Sequence, residues 1–310
     1  MHAIETQNLS KDYAVGFFKK QLRPALKSLN LTVDSGETFG FLGPNGAGKT
    51  TTLKLLMGII FPSAGSAKIL GKDCLDPGIK RKIGFLPEQP YFYDYLSAPE
   101  LLDYYAQLSG VAHSGRKKRI AALLERVGLA DVGKLQLRKF SKGMLQRVGI
   151  AQAMVHDPDV FFLDEPMSGL DPLGRHEVRE LIQSLKDEGK TIFFSTHILS
   201  DAEALCDRVA VIHKGELRGV GVVNDLRSNT ADKTEVIWRG AQAISAVSSL
   251  LKQSHVTGDT VRAIVSAENL DRLLEKLRQE HARLVSVTPL QATLEEYFLS
   301  KTTEQETVKA

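Results

Sequence analysis

The chain has little of what would mark a secreted, membrane-spanning or general nucleic-acid-binding protein. Its two cysteines, Cys74 and Cys206, lie far apart and without CxxC spacing. They read as two reduced thiols, which points to an intracellular compartment. No apolar run approaches the roughly 18 residues a membrane-crossing helix needs, so the chain is not expected to span a bilayer by itself. The opening "MHAIETQNLSKDY" has no basic–apolar–small order and predicts no signal peptide. The net charge is +3 on 310 residues, too little for the clustered basic face of a nucleic-acid binder. Internal repeats and long coiled-coil heptads are also missing.

What is present is an ordinary globular composition with 43% hydrophobic residues, ample for a buried core; only the ending "SKTTEQETVKA" reads as disordered. The most informative stretch is "TFGFLGPNGAGKTTTLKLLMGI". An apolar strand runs into Gly43, Pro44, Asn45, Gly46, Ala47, Gly48, Lys49 and Thr50, matching G-x-x-x-x-G-K-[ST]. A helix with apolar Leu53, Leu56 and Met57 follows. Strand, loop and helix are the context in which such a loop cradles phosphate. Glycines let successive N–H groups face the phosphate oxygens, and the helix N-terminus adds its positive end. In that setting Lys49 reaches the β- and γ-phosphates, the Thr50 hydroxyl binds Mg²⁺, and Thr51 is placed for the α-phosphate.

A second apolar strand, "VFFL", ends in Asp164 and Glu165. Four apolar residues in a row predict a strand buried in a parallel sheet, with its acidic end at the carboxyl edge where ligands sit. Asp164 is the candidate Mg²⁺ holder and Glu165 the candidate general base. On their own, paired acids there would equally suit a solvated turn. A third strand, "TIFF", leads into Ser195, Thr196 and His197. Beside the other two strands, His197 is a candidate for contacting the γ-phosphate or the attacking water.

Taken together these segments resemble the ATP-binding cassette (ABC) ATPases. "GPNGAGKT" resembles the family's Walker A loop, "VFFLDE" its Walker B strand, "SGLD" its D-loop and "STH" its switch histidine. Tyr13 stands where the family's adenine-stacking aromatic belongs, and "FSKGM" where its LSGGQ signature belongs. The resemblance covers roughly Ile4 to Val222 in the family's order. It implies an α/β P-loop NTPase core with an inserted helical subdomain and an N-terminal antiparallel β element, and ATP and Mg²⁺ as ligands. It also implies head-to-tail dimers, of two copies or of one copy and a homologue with the homodimer favoured, in which Ser141 and Gly143 meet the γ-phosphate of the partner's ATP. A separate polytopic membrane permease would hold the dimer peripherally at the cytoplasmic face.

Two positions depart from the family pattern. Lys142 and Met144 replace the usual glycine and glutamine of the signature, while Ser141 and Gly143 are kept, so a working signature is expected. The family's Mg²⁺-ligating glutamine aligns with Glu88, with Gln89 next to it, and either can offer an oxygen.

The expected organisation is an ATPase domain over 1–224, with the helical subdomain at about 97–155, and a small α+β accessory domain over 225–310 with a flexible end. "GRKKR" reads as a solvated helix face. "GFFKKQLRPALKS" reads as a loop insertion, or as an aromatic–basic contact to lipid headgroups or a membrane partner. Trp238 is expected in a core, and "TLEEYFLS" as a helix. The ending "TPLQATLEEYFL" resembles ATPases of ABC-2 type exporters, which favours an exporter subunit. A soluble ABC ATPase acting on ribosomes or DNA is the alternative, and a nucleotide-binding regulator without hydrolysis a third reading. No direct nucleic-acid contact is expected.

Overall fold

The computed structural model describes residues 1–16, 21–132, 134–223, 225 and 233–290. The chain divides into two compact units, Met1–Val220 and Gly221–Ala310.

The first unit opens with two long strands, β1 (His2–Val15) and β2 (Gln21–Asp34), paired antiparallel with Tyr13 opposite Arg23 and Lys11 opposite Leu26. This corrects the loop expected over Gly16–Ser28: Gln21 to Ser28 continue the ladder, and residues 17–20 lie outside the described residues. The strand was hidden because Leu22 and Pro24 are exposed, which breaks the alternation expected of a half-buried strand. Proline is tolerated because β2 is an edge strand, where a missing N–H need not break the sheet's ladder. With β4 (Ala64–Ile69) and β5 (Lys72–Asp73) these strands form a sheet in the order β2-β1-β4-β5.

The apolar run Thr38–Leu42 is β3, buried at every residue, and it passes through the glycine-rich loop into α1 (Lys49–Leu56). The central sheet adds β6 (Ile83–Leu86), β7 (Val160–Asp164), β8 (Thr191–Thr196), β9 (Arg208–His213) and β10 (Glu216–Val222) in the order β10-β9-β3-β8-β7-β6. The pairs β3–β8, β3–β9, β7–β8 and β6–β7 are parallel. β7 and β8 are buried along their whole lengths, as continuous apolar runs in a covered parallel sheet should be. Phe193 is the hub of the packing, with ring centroids 5.7 Å from Phe39, 5.4 Å from Phe41 and 5.8 Å from Phe162.

Between β6 and β7 the chain forms α2 (Ala98–Leu108), α3 (Arg116–Arg126) and α4 (Lys142–Met154). Ser97 and Glu100 close a capping box at the start of α2, satisfying two otherwise orphaned N–H groups. α4 lies close on β6: a Cβ on Gly149 would fall 2.5 Å from Leu86 Cδ1, and one on Gly84 would fall 2.6 Å from the Ala153 carbonyl. Glycine at both positions permits that approach. The solvated face expected of "GRKKR" holds for Lys117 and Lys118 only. Arg116 is buried against Asp103 at 2.7 Å, and Arg119 donates to the Val155 and Met154 carbonyls at 2.5 and 3.2 Å. Basic side chains at the end of a helix commonly satisfy its last carbonyls. After β7 comes α5 (Pro172–Asp187), and after β8 comes α6 (Leu199–Leu205).

The described residues of the second unit comprise β11 (Lys233–Arg239), α7 (Ile244–Val247), β12 (Leu251–Thr257), β13 (Thr260–Ser266), α8 (Ala267–Gln279) and β14 (Arg283–Leu290). All neighbours in the order β12-β13-β11-β14 are antiparallel. A β-α-β-β-α-β chain in that order is the ferredoxin-like arrangement. Val236, Trp238, Val261 and Val265 pack with Leu273 and Leu277 of α8. The helix expected at "TLEEYFLS" and the flexible end lie outside the described residues. Among the described residues, no helix is long and apolar enough to cross a membrane.

Candidate phosphate and hydrolysis site

The loop from β3 to α1 is shaped by its glycines. Gly46 and Gly48 take positive φ, 78° and 111°, where a side chain would be strained. A Cβ on Gly43 would fall 2.5 Å from the Ile212 carbonyl, and one on Gly48 would fall 2.6 Å from the Ala25 carbonyl. The Gly43 N–H donates to the Thr196 carbonyl at 3.3 Å, joining the loop to the end of β8. A cavity of about 310 Å³ is lined by Ala25, Asn45, Gly46, Gly48, Lys49, Thr50, Thr51, Glu88 and Glu165.

Lys49 and Glu165 are the buried charges of this cavity, 6% and 7% exposed, with Nζ 3.1 Å from Glu165 Oε1. The ammonium also donates to the Gly43 carbonyl at 2.7 Å and the Pro44 carbonyl at 3.3 Å. The other carboxylate oxygen, Oε2, lies 2.9 Å from His197 Nδ1. One carboxylate thus bridges the loop lysine and the histidine that follows β8. Glu165 itself has φ 48°, a left-handed conformation costing a non-glycine residue about 1–3 kcal/mol. Its N–H donates to the Ser195 carbonyl at 3.2 Å and to Ser195 Oγ at 3.1 Å. Ser195 Oγ in turn donates to Asp164 Oδ1 at 2.5 Å. Ser195 is therefore the clamp that orients both acids, and sequence reasoning gave it no role. The pairing lies in the register of the sheet, where Asp164 and Ser195 stand opposite each other on β7 and β8, and the sequence alone does not display it.

Glu88 lines the cavity; Gln89, Asp164, His197 and Tyr13 are not among its lining residues. Tyr13 stands on β1, 39% exposed, with the Lys11 ammonium 5.4 Å from its ring centroid. Ser141 caps α4, its Oγ accepting from the Met144 N–H at 3.3 Å. Neither Ser141 nor Gly143 lines this cavity, and a Cβ on Gly143 would meet only Leu170 Cδ2, at 4.0 Å. Gln146, one turn further along α4, is buried and donates to the Pro166 carbonyl at 2.8 Å. That bond fixes the signature helix to the segment leaving Glu165.

Residues 26–168 match the family model described as ABC transporter. The ABC transporter ATP-binding protein sll0415 of Synechocystis sp. is 46% identical over 98% of this chain and 86% of its own length. The daunorubicin resistance ATP-binding protein DrrA3 of Streptomyces coeruleorubidus is 34% identical over 93% of this chain and 94% of its own length. Among solved structures, a dimeric post-hydrolysis state of the ATP-binding cassette MJ0796 bound to ADP and Pi is similar with a TM-score of 0.65 at 26% identity. It covers 71% of this chain and 98% of that one.

Proposed function

The chain belongs to the ABC transporter ATP-binding proteins, and from that footing we propose that it hydrolyses ATP as a head-to-tail homodimer to drive export through a separate polytopic membrane subunit. The observation that carries this reading is that Lys49 and Glu165 meet in the loop cavity, with His197 on the other oxygen of Glu165, while neither Ser141 nor Gly143 lines it. A phosphate loop with a base but without its signature is half a site, and a second copy supplies the other half. The dimer reported for MJ0796 supports that arrangement. The resistance-type name of DrrA3 supports export. Transporter relatives and the weak +3 charge favour a permease partner over ribosomes or DNA. The subunit would then sit peripherally at the cytoplasmic face, with the second unit as an accessory domain or dimer prop.

In this reading the loop N–H groups and Lys49 hold the phosphates, and Tyr13 packs on adenine. Glu165 takes the proton from the attacking water, oriented by His197. Thr50, Asp164 and Glu88 offer the all-oxygen donor set that Mg²⁺ prefers, so the residues present fit the ion. Mg²⁺ held there would neutralise charge on the β- and γ-phosphates. Between the two neighbours Glu88 is favoured as ligand, because it lines the cavity and Gln89 does not. Glu88→Ala should raise the Mg²⁺ concentration needed for half-maximal binding of a fluorescent ATP analogue by about 10-fold or more, a scale typical of metal-site losses. Gln89→Ala should leave it unchanged; the reverse pattern would move the ligand to Gln89.

The test of the whole reading is mass in solution by light scattering on Glu165→Gln, with and without Mg-ATP. A shift from monomer to dimer that Ser141→Arg abolishes, with ATP still bound, is the expected result. A monomer that persists in the assembled transporter would overturn the head-to-tail site.

A further inference from the structure

The helix that follows β7 and the helix that follows β8 are joined by a buried charge that the chemistry above does not use. Asp201, in α6, is 1% exposed. Its Oδ2 accepts from Arg175 Nη2 at 2.7 Å, and its Oδ1 from Arg179 Nη2 at 3.4 Å. The arginines are one turn apart on α5, so both can reach one carboxylate. Each uses a terminal nitrogen, and the Nε of each is buried without a hydrogen-bond partner. Apolar side chains of similar size would hold two helices together without that desolvation cost. A cluster of this kind is better explained by the geometry it specifies than by the stability it adds.

That geometry follows from where the helices begin. Asp171 caps α5, accepting from the Gly174 N–H at 3.0 Å, and Arg175 lies in the first turn beyond it. α6 begins at Leu199, just after His197, and the Asp201 N–H reaches back to the Ile198 carbonyl at 3.3 Å. The segments leaving Glu165 and His197 are thus pinned twice. The Glu165–His197 contact at 2.9 Å closes one end, and the Arg175–Asp201 bond closes the other.

We infer that Asp201, with Arg175 and Arg179, is a positioning residue for ATP hydrolysis: it holds the start of α6 so that the His197 imidazole stays on the Glu165 carboxylate. The same bond couples the placement of His197 to Ser168–Asp171, the segment entering α5. This rests on Glu165 as base and His197 as its orienting partner.

The test uses the full chain. Asp201→Asn keeps the shape and removes the charge, and should lower kcat by about 10-fold or more, a scale typical of a misplaced catalytic group. KM for ATP should stay within about twofold, since the loss falls on the transition state alone. Made in a His197→Ala background, where no imidazole remains to be placed, the same substitution should change single-turnover hydrolysis less than about twofold. Arg179→Gln, at the longer contact, should show a smaller kcat loss with the same dependence on His197, and carries the test if Asp201→Asn does not fold. An unchanged kcat, or an equal loss with and without His197, overturns the inference and leaves a purely structural cluster. Failure of the underlying reading looks different: Glu165→Gln or His197→Ala would then hydrolyse ATP like the parent chain, and there would be nothing for Asp201 to position.

Discussion

Glu165→Gln is expected to lower ATP turnover by about 10²–10⁴-fold, the usual contribution of a general base, while Mg-ATP binding is retained. Steady-state hydrolysis and equilibrium binding of a fluorescent ATP analogue, measured on the same preparation, check both halves. Retained binding follows from the geometry. The carboxylate has one oxygen 3.1 Å from Lys49 and the other 2.9 Å from His197. An amide of the same shape can face Lys49 with its oxygen and His197 with its NH₂, provided the imidazole shifts to the tautomer with Nδ1 as acceptor. The backbone of residue 165 stays anchored because its N–H bonds Ser195, not its own side chain. What the amide lacks is basicity, and only the attack on the γ-phosphate needs it. Turnover at the parental rate would remove Glu165 as base; loss of binding along with turnover would recast it as part of the phosphate cradle.

How much of this was legible in the sequence depends on how local each feature is. The phosphate loop is contiguous, and its strand and helix flanks follow from a short apolar run and a 3.6-residue pattern. The apolar runs of β7 and β8 announce buried parallel strands for the same reason. The meeting of Lys49, Glu165 and His197 is not local: it needs β3, β8 and β7 side by side and in register, which no single window contains. The left-handed backbone of Glu165 leaves no mark either, since glutamate has no preference for it. Arg116 and Arg119 looked like solvated helix charges, and Arg175 and Asp201 drew no reading at all, because a helical pattern shows which face is charged and not what packs on it. In the second unit the strands "KTEVIWR" and "TVRAIVS" declare themselves by alternation. Their order in the sheet, with β11 between β13 and β14, is a matter of chain reversal that alternation cannot express.

Lys49→Met is expected to abolish nucleotide binding and also to destabilise the first unit by about 3–5 kcal/mol, the cost of breaking a buried ion pair from one side. At about 2–4 °C per kcal/mol for a domain of this size, the unfolding midpoint should fall by roughly 6–20 °C. The ammonium is satisfied by the chain itself, through Glu165 and the Gly43 and Pro44 carbonyls. Methionine fills much the same volume and returns none of those bonds. It leaves a 7%-exposed carboxylate with His197 as its remaining side-chain partner. Glu165→Gln added to Lys49→Met removes the stranded charge, so the double variant should regain most of the lost stability and none of the binding. That separation matters for mechanism as well as folding. Lys49 serves a carboxylate and a triphosphate with the same three donors, so phosphate oxygens must compete with Glu165 for the ammonium. Nucleotide binding would thereby release the carboxylate toward His197 and the attacking water, arming the base only when substrate is present. Differential scanning calorimetry of the parent, the two single variants and the double variant measures the coupling directly. A single Lys49→Met variant as stable as the parent would mean that the pair contributes nothing in the folded chain, and the exchange of partners would lose its basis.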